Sequence, residues 1–167
     1  MSSLPNVEGI VAIDLANGLA KNGTIPWKSK TDIAFFKNKT TNHTIIMGSA
    51  TLMSLPNSKP LPHRTNIVIT NNKEKYQDVY DNLFAYNLEE IIQLIHTDKE
   101  TTFFIIGGNQ IYNLLLPYCS TIWVTKINAN YNCDTLLTYD LSSYVSNVIY
   151  KDTAIKIMRL TSVLVLD

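Results

Sequence analysis

The stretch TFFIIGGNQIYNLLLPYCSTIWVTKI, residues Thr102–Ile127, decides the fold of this chain. An apolar run rich in β-formers, Thr102–Ile106, ends at the pair Gly107-Gly108. A helical run follows over Gln110–Leu116, and a second apolar run occupies Thr121–Ile127. Strand, helix and strand in close succession are typical of a mostly parallel sheet that helices cover on both faces.

The same alternation continues on both sides of this stretch. Hydrophobic periodicity and turn signals predict the following elements. They are strands at Val7–Asp14, Thr44–Met47 and Thr65–Thr70, a long loop at Asn17–Pro26, helices at Ser29–Thr40, after Gly48 and at Asn87–His96, and an antiparallel hairpin of Val145–Lys151 with Ile155–Leu166. We therefore expect one α/β domain over residues 1–167, with a three-layer, mostly parallel central sheet, a C-terminal antiparallel hairpin and about four flanking helices.

Composition narrows the class of protein. Of the 167 residues, 46% are hydrophobic, which excludes a disordered chain. Lys+Arg and Asp+Glu both number 14, so no net charge attracts nucleic acid or an anionic membrane. Cys119 and Cys133 lack the C-x-x-C spacing of a zinc or redox site. That spacing leads us to expect no metal ion. With no leader pattern at the N-terminus, we expect a cytoplasmic protein. We also expect a monomer.

Asp32 is the acidic side chain that invites a functional interpretation, and it has two. The segment Ser29-Lys30-Thr31-Asp32 matches a capping box, with Ser29 as the N-cap and Asp32 at the third helical position. An acid in the first turn also interacts favourably with the helix dipole. In a cleft, however, the same carboxylate could accept two parallel hydrogen bonds from a ligand. Spacing alone favours the cap, and both interpretations stay open at this point.

Several motifs occur in a fixed order along the chain. The first is GLAKNGTIPW, residues 18–27, followed by Asp32 and Phe36-Lys37. Ile46-Met47-Gly48 with Thr51 and Ser54 comes next, and Pro60-Leu61-Pro62-His63-Arg64 with Asn66 is the third. Ile105-Ile106-Gly107-Gly108 with Ile111-Tyr112 is the fourth, and Thr125 and Asp134-Thr135 follow it. Together these motifs resemble the dihydrofolate reductase family from about Val7 to the C-terminus.

The resemblance implies a pterin site around Asp32. Asp32 would accept hydrogen bonds from the pterin N3 and 2-amino groups, and a water molecule would deliver the proton to N5. Arg64 would pair with the carboxylate of the glutamate tail. The implied catalytic residues are Asp32, Trp27 and Thr125, and the implied substrate-binding residues are Ala12, Ile33, Phe36, Leu61 and Arg64.

The resemblance also implies NADPH as the cofactor, since the chain itself has no redox group. Backbone N–H groups after Gly48 and after Gly107-Gly108 would hold the pyrophosphate. It further implies a cis peptide at Gly107-Gly108 and a place for Tyr112 beside the nicotinamide. The implied cofactor-binding residues are Ala20, Gly48, Ser49, Thr51, Ser54, Asn71, Ile106, Gly107, Gly108, Asn109, Gln110, Ile111 and Tyr112.

The sequence departs from the family pattern on the cofactor side. Ser49 stands where the family usually has a basic residue for the cofactor phosphates, and Asn71 stands where an arginine is common. After Gly107-Gly108 the family often has a small residue and then a basic or polar one, where this chain has Asn109 and Gln110, and Ala20 replaces a loop glycine. Each lost charge-assisted contact would weaken phosphate binding, which helix N-termini, Thr51 and Lys73 would partly offset.

The leading functional prediction is reduction of 7,8-dihydrofolate to tetrahydrofolate with NADPH. One alternative keeps the fold and changes the substrate to the ribosylaminopyrimidine that the related reductase of riboflavin biosynthesis reduces. The combination of Asp32, Phe36 and Arg64 favours folate, because a pterin with a glutamyl tail accounts for all three. A second alternative is a homologue that binds folate and transfers no hydride.

Overall fold

A computed structural model describes residues 3–163 of the chain. Within that range the strands and helices alternate as the sequence predicts. In chain order they are β1 Leu4–Ile13, β2 Gly18–Ala20, α1 Lys30–Thr40, β3 Thr44–Gly48, α2 Ser49–Ser54, β4 Thr65–Ile69, β5 Leu83–Tyr86, α3 Leu88–Thr97, β6 Phe103–Gly107, α4 Asn109–Leu115, β7 Cys119–Ile127, β8 Thr135–Leu136, β9 Tyr144–Lys151 and β10 Ile155–Ser162.

Eight of these strands form one sheet in the order β5-β4-β3-β6-β1-β7-β10-β9. The strands from β5 to β7 pair in parallel, and β10 and β9 add an antiparallel edge beyond β7. Parallel strands need crossover connections, which the helices provide. The predicted fold class is confirmed, including the C-terminal hairpin. The part of that hairpin predicted over residues 164–166 lies outside the described residues.

Side chains that alternate along the strands feed two apolar clusters, one on each face of the sheet. On one face Ile46 and Ile105 pack with Ile91 of α3 and Leu115 of α4. On the other face the neighbouring strand residues pack against α1 and α2, through Phe36 among others. Both faces are covered, so the central strands are buried, as parallel strands usually are.

Helix α1 corrects one expectation from the sequence. The apolar pattern of α1 predicts that Ile33, Phe35 and Phe36 all face the core, yet Ile33 is 62% exposed. Phe35 and Phe36 do pack against the sheet. Ile33 and Phe35 are two positions apart, which turns them about 200° from each other around a helix, so both cannot face the same side.

Two further differences concern short strands. The predicted loop at 17–26 contains β2, which pairs with β8 in a separate two-stranded sheet. Its tip is the Asn22-Gly23 turn, where both residues have positive φ, the conformation that favours Asn-Gly in tight hairpins. The edge strand β5 was missed because its four residues are flanked by irregular chain and carry no strong alternation.

None of the helices within residues 3–163 combines the length and the apolar character that a membrane crossing needs.

The different burial of two neighbouring residues in α3 provides a test of the apolar cluster that α3 and α4 form with the sheet. Ile91 is fully buried, whereas its neighbour Ile92 is only partly buried. We expect Ile91→Ala to lower the free energy of unfolding by about 2–5 kcal/mol, because it removes methylene groups and leaves a cavity. Ile92→Ala should lower it less. Chemical denaturation of both variants measures the difference, and equal losses would contradict this packing.

Candidate active site

A cavity of about 740 Å³ opens at the carboxyl ends of β3, β4 and β6. Ligands bind at this edge in open parallel sheets. All residues predicted to hold the cofactor line its wall except Gly107, and Ala12 from the substrate set joins them. The sequence analysis missed several other lining residues, among them Leu19, Thr24, Ile25 and Thr135. These belong to or flank the β2–β8 sheet, whose pairing the sequence did not reveal.

The Gly107-Gly108 pair shapes the floor of this cavity. The peptide between the two glycines is cis, as the resemblance implied. Gly107 has φ of +111°, and a Cβ atom there would lie 2.9 Å from the ring of Tyr112. A side chain at position 107 would therefore be strained by its backbone and would collide with Tyr112.

Tyr112 is buried behind the glycines. Its hydroxyl lies 2.8 Å from the carbonyl oxygen of Ile10 in β1 and 2.9 Å from that of Ile106 in β6, so its one proton is shared between acceptors on the two strands. Burial raises the pKa of Tyr112, and the charge of Asp32 raises it further. Tyr112 thus both lines the cavity and braces the two central strands.

Helices α2 and α4 begin at the cavity. Their N-cap residues are Gly48 and Gly108, which have no side chain with which to cap the first turn. The first N–H groups of a helix have no partner within the helix. Both helix starts therefore present backbone donors at the cavity wall.

Asp32 occupies the position in α1 that the sequence predicted, and its contacts separate the two interpretations. Ser29 Oγ accepts a hydrogen bond from the Asp32 backbone N–H at 3.1 Å. The reciprocal bond from the acid to the cap backbone is present at α3, where Asn87 N–H donates to Glu90 Oε1 at 3.0 Å. The Asp32 carboxylate interacts with the Thr125 side chain instead. The Asp32 backbone N–H therefore takes part in the helix cap, whereas its side chain does not.

The surroundings of Asp32 alter its acidity. Burial raises the pKa of Asp32 above its ordinary value of 3.8, and the hydrogen bond from Thr125 opposes that shift in part. Thr125 is buried in β7, directly across from Ala12 of β1 in the parallel register. The structure therefore brings Asp32, Thr125, Ala12 and Tyr112 to the same end of the sheet.

Arg64 is a buried cation, only 8% exposed. Its Nε donates to the carbonyl oxygen of Pro62 at 2.9 Å, and its guanidinium also donates to Thr40 Oγ at 3.0 Å. Within residues 3–163 it has no carboxylate partner, because the salt bridge of the described chain joins Lys73 and Glu90. Burial lowers the pKa of Arg64. Buried charges usually pair with an opposite charge, so this one favours an anionic ligand.

Asn66 holds the Arg64 loop in place, a role the sequence analysis did not assign. Its side-chain amide is fully buried, donates to the carbonyl oxygens of Leu61 and Arg64, and accepts from the Leu61 N–H at 2.9 Å. These bonds close the turn that precedes β4. An asparagine inside an otherwise apolar strand is the signal that could have identified it.

The other predicted catalytic and substrate-binding residues do not line the 740 Å³ cavity. Trp27 is buried in a separate cluster with Ile157, and its ring lies 5.6 Å from that of Tyr131. Phe36 and Leu61 are partly buried beside the sheet, and Ile33 is exposed on α1.

Asp14 organises the loop that borders the cavity, and the sequence analysis treated it only as the end of a strand. One carboxylate oxygen accepts from the N–H groups of Ala16 and Gly18 at 2.9 and 2.7 Å. The other accepts from the Tyr131 N–H at 3.0 Å and from the Cys133 thiol. Burial alone would raise the pKa of Asp14, but these donors together lower it below its ordinary value.

No group of three or more His, Cys, Asp or Glu side chains in the described part of the chain is arranged to hold a metal ion.

Comparison with known proteins identifies the family. The sequence model described as dihydrofolate reductase matches residues 6–154. The chain belongs to the dihydrofolate reductase family. The dihydrofolate reductase of Staphylococcus haemolyticus is 36% identical over 135 residues, which are 81% of this chain and 78% of that protein. The enzyme of Ureaplasma parvum is 32% identical over 130 residues, 78% of this chain and 80% of that one.

A solved structure supports the same assignment. Dihydrofolate reductase from Enterococcus faecalis, complexed with NADP(H) and RAB-propyl, superimposes with a TM-score of 0.79. It is 28% identical and covers 93% of this chain and 95% of its own. The predicted family, its fold and the expectation of an oxidoreductase enzyme are confirmed.

Folding shifts the pKa values of Asp32 and Asp14 in opposite directions, which provides a test of their surroundings. Below pH 3.8 the Asp32 carboxyl is protonated in both the folded and the unfolded chain, so it contributes nothing to stability. Above that pH the unfolded chain ionises more readily, and ionisation then favours unfolding. We expect Asp32→Asn to stabilise the protein at pH 7, with the gain vanishing toward acid pH.

Asp14→Asn is the matched comparison. The pKa of Asp14 is lowered by folding, so its ionised form stabilises the folded chain above its ordinary pKa of 3.8. That stabilisation disappears as the pH falls through the folded-state value. Asp14→Asn should therefore destabilise the protein at pH 7 and less so in acid. Thermal melts of both variants over pH 3–7 measure the two trends, and trends of the same sign would contradict these environments.

Proposed function

We propose that this protein catalyses the NADPH-dependent reduction of 7,8-dihydrofolate to 5,6,7,8-tetrahydrofolate, and that it serves one-carbon and thymidylate metabolism as a cytoplasmic, single-domain monomer. The observation that carries the proposal is the Asp32 carboxylate, which is partly buried near Thr125 and forms no helix-capping bond among the described residues. Family membership supports the same reaction.

Asp32 would recognise the pterin ring. The N3 and 2-amino groups form two parallel donors, and a carboxylate is their matching bidentate acceptor. Ionised Asp32 would favour the protonated imine of the substrate, which is the form that accepts hydride. The raised pKa of Asp32 reflects burial, and the bound pterin would compensate the charge of the carboxylate. Thr125 would fix the orientation of the carboxylate, and Trp27 would close the loop over the ring.

Arg64 would bind the other end of the substrate. Its guanidinium is buried and bonded only to uncharged acceptors in the described chain. A fork of this kind binds a carboxylate through two parallel hydrogen bonds, and the glutamate tail of folate supplies one. Asn66 keeps the loop rigid, which lowers the entropy lost when the tail binds. Ile33, Phe36 and Leu61 would contact the rings between the two polar ends.

The residues of the large cavity fit a dinucleotide. Its volume of about 740 Å³ lies in the range of small-molecule and cofactor sites. The uncapped starts of α2 and α4 would donate N–H groups to the pyrophosphate, and Ala20, Ile106 and Tyr112 would surround the nicotinamide. NADPH supplies the hydride when bound.

The central test is a steady-state assay of dihydrofolate reduction, followed as loss of absorbance by NADPH. We expect turnover by the wild-type protein. Asp32→Asn should lower it by about a hundredfold or more at neutral pH and partly recover at acid pH, where the substrate is protonated in solution.

Three outcomes would contradict the proposal. Unchanged turnover in Asp32→Asn would exclude the assigned role of the carboxylate. Reduction of a ribosylaminopyrimidine without reduction of dihydrofolate would favour the riboflavin-type reaction. Folate binding without any nucleotide oxidation would indicate a homologue that transfers no hydride.

Arg64→Lys tests the assigned tail site. Lysine keeps the charge but loses the planar fork, so we expect KM for dihydrofolate to rise about tenfold or more. KM for a dihydropterin without the benzoylglutamate tail should not change. Arg159→Lys is the matched control, because Arg159 is exposed on β10 and stacks over Trp123. Equal rises for both substrates would show that Arg64 does not meet the tail.

A further inference from the structure

The wall of the large cavity is uncharged. Every residue that lines it, among those the structure describes, has a neutral side chain, and the polar ones are Ser, Thr, Asn, Gln and Tyr. Exposed positions that could hold a cation at its rim hold Ser49, Ala50 and Asn71 instead. A dinucleotide with phosphate groups would thus meet hydroxyls, amides and backbone N–H groups.

Lys73, which follows the rim residues Asn71 and Asn72, is already engaged. Its Nζ lies 2.6 Å from Glu90 Oε1. The same Glu90 oxygen accepts from the Asn87 N–H in the capping box of α3, so the carboxylate is fixed in place. The Asn87 backbone and Lys73 both lower the pKa of Glu90, which keeps it ionised at neutral pH. The ammonium group therefore has a counter-ion within the protein.

NADPH and NADH differ by one group, the 2′-phosphate on the adenosine ribose. A phosphate must shed water to enter a site, and neutral hydroxyls and amides replace that hydration without adding the Coulomb attraction of a cation. A neutral wall offers the 2′-phosphate little beyond what water offers it. We propose that this protein binds NADH about as well as NADPH and uses either as the hydride donor. The inference rests on the proposed function, because it concerns the cofactor of that reaction.

Equilibrium titration with each reduced nucleotide tests the inference without relying on turnover. Calorimetry on the wild-type protein should give dissociation constants for NADPH and NADH that differ by less than about tenfold. The ratio should not change between low salt and about 0.15 M salt, because the extra phosphate meets no cation whose attraction could be screened. A preference for NADPH of tenfold or more, or a ratio that falls with salt, would overturn the inference.

A gain-of-charge series tests the location. Ser49→Arg and Asn71→Arg each place a guanidinium at the exposed rim, and at least one should raise the NADPH preference about tenfold or more and make it salt-dependent. Ser146→Arg is the control, since Ser146 is exposed on β9 at the opposite edge of the sheet. Thermal melts verify that each variant folds. If neither rim variant changes the ratio, or if Ser146→Arg changes it equally, the assignment of the rim fails.

The failure of the inference and that of the proposed function give different results. A protein that binds both nucleotides, reduces dihydrofolate and strongly prefers NADPH would overturn only the inference. A protein that binds neither nucleotide and leaves dihydrofolate unchanged would overturn the proposed function itself.

Discussion

The parallel pairing of β1 with β6 and β7 is the constraint on which the rest of the structure depends. It places Ala12 beside Thr125 and brings the carboxyl end of β6 against the first central strand. Tyr112 joins the same strands through its hydroxyl, since it lies within bonding distance of carbonyl groups on both. The cavity opens beside this core, where the neighbouring strands β3 and β6 lead into α2 and α4 on opposite faces of the sheet.

Asp32 shows how one residue can satisfy two demands at once. Its backbone completes the Ser29 cap, which any residue at that position could do, and its carboxylate is left to interact with Thr125. The full capping box at Asn87 and Glu90 shows the alternative arrangement, in which the acidic side chain accepts a hydrogen bond from the backbone of the cap residue. The helix cap therefore uses the Asp32 backbone and leaves its carboxylate available for the proposed contact with the substrate.

Much of this arrangement could be predicted from the sequence, because strand and helix periods are local signals. The order of most elements and the Ser29 cap followed from these local signals, whereas the cis glycine pair and the cavity-wall residues on the β3 and β6 sides followed from the family resemblance. The β2–β8 pairing and the Asp14 network did not, because they join residues more than 110 positions apart with no periodic pattern. Burial also decided against Ile33 as a core residue, since only the docked helix shows which side faces the sheet.

The Asp14 carboxylate has a consequence for the way the chain is made. It joins the segment after β1 to Tyr131 and Cys133, and Asp134 accepts from Asn22 across the same gap. One side of the 740 Å³ cavity is therefore built from segments near residues 19–25 and 135, which are far apart in the sequence. Contacts of such long sequence separation form slowly, because the chain loses the entropy of closing a large loop before the contacts contribute any stabilisation. During synthesis on the ribosome, this side of the cavity cannot form until residues 131–136, about four-fifths of the way along the chain, have emerged.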